Sequence, residues 1–171
     1  MTAAVVMCMV PPVWRVARYT VTIVHEMGHV SVAFLWGRGI DGIRVHSDTS
    51  GLAITRGRPR GLGAAATFVA GYPAPGAAGL GLVWTAVEGR AGVGLTALVG
   101  LLVVALWLTR NLFGLLVVVA ALAATGAAWW WAPATVAATV AAGVGLFLCV
   151  GGVRCVADVW VAHRRGLGAQ S

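Results

Sequence analysis

The residues best suited to chemistry in this sequence are His25, Glu26 and His29, in the run His25-Glu26-Met27-Gly28-His29. On a helix, two histidines four positions apart project from one face with Cβ atoms about 6 Å apart, so both imidazoles reach one metal ion. Glu26, next to the first histidine, is placed to take a proton from a water activated by that ion. Residue types and spacing together describe a hydrolytic zinc centre, with His25 and His29 as ligands and Glu26 as general base.

The chain holds two glutamates and four histidines, and three of those six fall in this window, inside an otherwise apolar segment from Tyr19 to Gly37. Ionisable groups in such a segment are costly to bury and as a rule functional. The competing explanation is a helix with two hydrogen-bonded histidines, one glutamate and no metal.

The rest of the chain must position this motif. Sixty per cent of the 171 residues are hydrophobic and 10% are charged, which places the chain among integral membrane proteins. At about 20 residues per span the length holds four or five helices, so a single membrane-embedded domain over residues 1–171 is expected, with the catalytic groups in the spans themselves. The net charge of +7 comes from 12 basic residues, all arginine. They sit singly at segment ends or in one short connector, where headgroups and orientation account for them, and nucleic-acid binding is set aside. Cys8, Cys149 and Cys155 lack metal or redox spacing and read as small buried hydrophobes. Met1 to Val10 is apolar, lacks a basic start and is broken by Pro11-Pro12, so it does not read as a cleavable signal peptide.

The fold class expected is an all-α polytopic membrane protein of about five transmembrane helices, with a short β-hairpin after the first. The first span runs from about Val13 to Trp36, where Arg15, Arg18, Thr22, His25 and His29 form one polar stripe that should face other helices. From Arg38 to Arg60 seven charges fall in 23 residues. Within this connector Ile43 and Val45 alternate with polar residues, Ser47 to Gly51 has turn chemistry, and Leu52 and Ile54 alternate again, a hairpin pattern that competes with a plain surface loop. Gly61 to Val87 supplies 27 uncharged residues broken by Gly71-Tyr72-Pro73-Ala74-Pro75-Gly76. Backbone kinked or unwound at membrane depth is tolerated only against protein or a water-filled cavity, so the break either faces the metal site or packs on a neighbour. Ala91 to Leu108 is a third span, and the 43 uncharged residues between Arg110 and Arg154 hold two more, turning at Trp129-Trp130-Trp131-Ala132-Pro133. The last, from about Ala134 to Trp160, carries Arg154 and Asp158 one turn apart, where they can pair with each other; a frayed tail follows from His163. Counted by alternate sides, the arginines put the hairpin and the C-terminal tail in the cytoplasm and the N-terminus outside.

An H-E-x-x-H first span, a hairpin just after it and a Gly/Pro-broken second span resemble the site-2 protease family of intramembrane zinc metallopeptidases. Arg110-Asn111-Leu112-Phe113-Gly114 is similar to a stretch of a short bacterial branch of that family that lacks PDZ domains. The resemblance implies a zinc metalloendopeptidase of the cell membrane, in bacteria the plasma membrane, that hydrolyses peptide bonds of membrane protein substrates in regulated intramembrane proteolysis. It implies Zn2+ held by His25, His29 and a distant aspartate, with Glu26 as base. Better-known members place that aspartate in a Leu-Asp-Gly motif on a later span, and no such motif exists here. Asp158, the aspartate of a later span, is the candidate third ligand; Asp41 and Asp48, in the hairpin, are poorer ones, and relatives of this branch are expected to continue past Ser171 into sequence that can supply an acid. Asn111 is the candidate for holding substrate backbone, with capping of the fourth helix as its other explanation. The hairpin would offer an edge to which an unwound substrate segment adds as a strand. The alternative to the enzyme is a catalytically inactive polytopic scaffold or a metal-handling protein.

Overall fold

A computed structural model describes residues 10–164, so Cys8 and the tail from Arg165 lie outside the described residues. The first helix, α1, covers Pro11–Leu35 with proline in its first turn, where a missing N–H costs nothing. It ends because Gly37 adopts φ +63°, and the amides of Gly37 and Arg38 turn back to the carbonyls of Phe34 and Ala33, closing the last turn of the helix.

The connector is the expected hairpin. Strand β1 (Gly39–Val45) pairs antiparallel with β2 (Gly51–Arg56), with a register irregularity between Ile40 and Gly42. Ile43 and Val45 are fully buried, but opposite them stand Ala53 and Gly51, while Leu52 faces out with Arg44. The physical reason is the closeness of α1: a Cβ on Gly51 would stand 2.7 Å from Cγ of Glu26 and from Cγ2 of Thr22. Across the open end of the hairpin, Asp41 is paired with Arg56, whose guanidinium holds that carboxyl below its usual range.

The Gly61–Val87 stretch divides into α2 (Leu62–Ala70) and α3 (Ala74–Val87), separated by the turn Gly71-Tyr72-Pro73. Then come α4 (Ala91–Leu108), α5 (Leu112–Trp131) and α6 (Ala134–Arg164), so the helix continues one residue past His163, where fraying was expected to begin. By length and composition α4, α5 and residues Ala134–Asp158 of α6 are long and apolar enough to cross a membrane. Helix α1 is as long as a span, but its polar stripe keeps it out of that class, and the break leaves α3 with 14 residues. Helices α3 and α6 pack backbone to backbone, because Gly79 and Gly145 face each other without side chains between them.

The segment Thr109 to Asn111 does more than turn the chain. Thr109 bridges Ile43, the Arg110 amide donates to the Ile43 carbonyl at 2.9 Å, and the Asn111 side chain takes the Val45 N–H at 3.1 Å and donates to the Val45 carbonyl at 2.7 Å. The hairpin and the Arg110 turn therefore share one end of the bundle, as the arginine count expects.

Candidate metal centre

Helix α1 presents two adjoining faces to the site. Tyr19, Thr22 and Glu26 recur at helical spacing on the face covered by the hairpin. The Tyr19 hydroxyl donates to the Ser47 carbonyl at 2.7 Å, and the Thr22 hydroxyl reaches the Thr49 carbonyl at 2.9 Å. These bonds seat the hairpin turn on the helix, and β2 then passes beside Glu26, with the Ala53 backbone at its carboxyl. Glu26 is 4% exposed, a buried acid between a helix and a strand.

His25 and His29 occupy the next face, towards α2 and the break. Their Nε2 atoms converge at 3.1 Å, against about 3.3 Å for two nitrogens bound to one tetrahedral zinc at 2.0–2.1 Å each. His29 Nδ1 lies 2.7 Å from the Thr67 carbonyl. That contact makes Nδ1 the protonated nitrogen and leaves Nε2 with a free lone pair, the outer-sphere arrangement typical of zinc-binding histidines. The Tyr72 ring stands edge-on to His25 with centroids 5.3 Å apart. Gly71 closes the pair from the side: a Cβ there would stand 2.6 Å from Nε2 of His25 and closer still to Nε2 of His29. The break in the second hydrophobic stretch thus does face the motif, and its first residue has to be small. On this geometry the two imidazoles fit half of a tetrahedral zinc set.

Asp158 is not brought to them. Its carboxylate lies 3.8 Å from Arg18, which precedes His25 by seven residues, about 10 Å of helix. The partner expected for Asp158 was Arg154, but Arg154 instead lies over the Trp14 ring, 4.6 Å from its centroid. Asp41 and Asp48 are engaged within the hairpin, with Arg56 and with Ser50. Among the described residues no group of three His, Cys, Asp or Glu side chains is placed to hold a metal. Asn111, expected at substrate, spends its side-chain amide on both polar groups of Val45. It also occupies the N-cap position of α5 without a capping side-chain bond, so the capping explanation does not describe it. Gly71 was visible in the sequence as part of the break. The Thr67 carbonyl had no sequence signal, since any residue would supply it.

Paired imidazoles beside a buried glutamate, in a bundle of apolar helices with a hairpin laid on the motif helix, agree with a polytopic membrane protein of the metallopeptidase class. The chain belongs to the Peptidase M50B-like family, which it matches over residues 1–171. This is the site-2 protease family, membrane-embedded and generally zinc-dependent. No curated protein and no solved structure matches the chain.

Proposed function

We propose that this protein is an intramembrane zinc metalloendopeptidase that cuts membrane protein substrates, with His25 and His29 as zinc ligands and Glu26 as general base. The observation that carries the reading is the 3.1 Å approach of the two Nε2 atoms with His29 Nδ1 held on the Thr67 carbonyl. Bound zinc would supply Lewis acidity to a water and to the scissile carbonyl. His25 and His29 would hold it through Nε2. Glu26, in its pocket between α1 and β2, accepts the proton of the attacking water and returns it to the leaving amine. For Asp158 to complete the ligand set it would have to leave Arg18 and move along α1 towards the motif.

Strand geometry supports the β2 edge as the place where substrate would add. The outward groups of Ile43 and Val45 on β1 are taken by Arg110 and Asn111. On the paired strand, Ala53 and Gly51 stand opposite those residues in the ladder, so their own backbone groups point away from β1. An extended substrate segment joined to this β2 edge would place its peptide bonds beside Glu26.

The test is zinc content and cleavage of a membrane-anchored substrate by the purified protein in detergent or vesicles. Glu26→Gln should keep zinc and lose cleavage, while His25→Ala and His29→Ala should lose both. Equal zinc loss in all three would reverse the assigned roles. A wild-type protein that binds zinc and cuts nothing would support the metal-handling reading, and one that binds none would support the scaffold.

A further inference from the structure

A cavity of about 500 Å³ opens between the break and the second half of α6. Tyr72, Pro73 and Gly76 form one wall, and Cys149, Gly152, Val153 and Ala157 of α6 form the other. The two helices are not far apart here. A Cβ on Gly152 would stand 3.3 Å from Pro75, and the Cys149 thiol donates to the Gly76 carbonyl at 3.7 Å. The room comes from the missing side chain of Gly76, where a Cβ would meet nothing within 4 Å. Val153, in the part of α6 long and apolar enough to cross a membrane, is 73% exposed, so the cavity is open on its outer side. Tyr72 belongs to two places at once. Its ring lines the cavity and also stands edge-on to His25 with centroids 5.3 Å apart, while the residue before it, Gly71, lies against both imidazoles. A single aromatic ring therefore separates the cavity from the metal centre.

We propose that this cavity is a specificity pocket: it takes large aliphatic or aromatic side chains of the substrate and so selects a bond by the apolar residues close to it. The inference rests on the peptidase reading above. Among the described residues the walls are apolar apart from the Tyr72 hydroxyl and the Cys149 thiol, so a charged or amide side chain would enter without enough partners, at a cost that apolar groups do not meet. The volume lies within the range of small-molecule sites and holds more than one side chain. Position gives the register. The histidines stand between the hairpin on one side and the break on the other, so a segment added to the β2 edge on one flank of the cut continues past the imidazoles to Tyr72 on the other. An extended chain rises about 3.3 Å per residue, and the ring of Tyr72 with that of His25 has to be passed, so the first side chain to enter belongs about two or three residues from the scissile bond. A missing methylene in an apolar pocket discriminates about 10–200-fold, and leucine should be preferred to alanine there by at least that factor. A lipid acyl chain could fill the same space, but it would leave the choice of bond unaffected.

The test uses the full chain, purified in detergent with zinc, and a set of synthetic reporters whose membrane segment is alanine with one pair of leucines, the pair being moved along the segment from one reporter to the next. The bonds cut are read by mass spectrometry. The cut should move with the leucines and stay within about three residues of them, and an all-alanine reporter should be cut at least about tenfold more slowly. Gly76→Leu and Ala157→Leu fill the cavity from opposite walls, and each should keep zinc while reducing the preference for leucine at least about tenfold. Cuts at a fixed distance from the end of the segment, wherever the leucines stand, would overturn the pocket, and so would an unchanged preference in zinc-loaded forms of both variants, the outcome expected if lipid fills the cavity. The reporter series on the unaltered chain decides without either variant, should one fail to fold. A protein that binds zinc and cuts none of the reporters overturns the peptidase reading and the pocket with it, whereas one that cuts them all without regard to leucine overturns the pocket alone.

Discussion

Gly71→Ala isolates the convergence of the two imidazoles from the fold that holds them. Gly71 has φ −63° and ψ −37°, ordinary helical values that alanine adopts without strain, and the backbone itself should gain about 0.5–1 kcal/mol from the exchange. The new methyl, however, would stand 2.6 Å from Nε2 of His25 and from Cε1 of His29. Ordinary contacts of such atoms begin near 3.5 Å, so the rings must retreat by about 1 Å. Metal–ligand distances tolerate about 0.2 Å. Loss of an outer-sphere partner alone costs about 10–100-fold in metal affinity, and displacing ligands costs at least that, about 1.4–2.7 kcal/mol. Zinc affinity, read by competition with a chromophoric chelator, should therefore fall at least 10–100-fold, and thermal stability of the metal-free protein should not fall. Gly76→Ala is the control, since its Cβ would meet nothing within 4 Å. A Gly71→Ala protein with native zinc affinity would refute the placement of both histidines under the break.

Gly51→Ala should act on the other half of the site. Its Cβ would collide with Glu26 and Thr22, lifting β2 off α1, so cleavage should drop by about 100-fold, the cost of a 1 Å misplacement, while zinc binding stays native; unchanged cleavage would show that the hairpin does not bear on Glu26. Asn111→Ala removes both bonds to Val45 and should cost about 1–3 kcal/mol for each buried group left unpaired. Hydrogen exchange should show it as faster exchange at the Val45 amide, with zinc retained; native protection of Val45 would mean that the amide bonds are not what fastens the hairpin.

The elements were legible because their signals are local. Proline pairs and glycines punctuate the apolar runs, so the starts of α4 and α6 at Ala91 and Ala134 and the break at Gly71 follow from sequence. The hairpin followed from alternation, but its facing did not. Leu52 looks like a core residue and is half exposed, while Gly51 and Ala53 take the inner face. Apolarity records preference for burial, and on β2 the closeness of α1 leaves room for small residues, beside the larger Ile43 and Val45 of β1. The same limit applies to Asn111, whose type announces hydrogen bonding without naming a partner 66 residues away.

What the sequence determined by itself is the chemistry of one helix turn: His25 and His29 on one face with Glu26 beside them, a relation that the 3.6-residue period imposes on any helix. It also determined that this helix sits among apolar segments with a broken partner. Tertiary structure alone decided what surrounds the motif. Thr67 offers its carbonyl to His29, Gly71 makes room for both rings, β2 lies on Glu26, and Asp158 is drawn to Arg18 and away from the histidines. Those outcomes depend on where helices cross and how closely backbones approach, and both are set by the packing of distant segments, which no local spacing encodes.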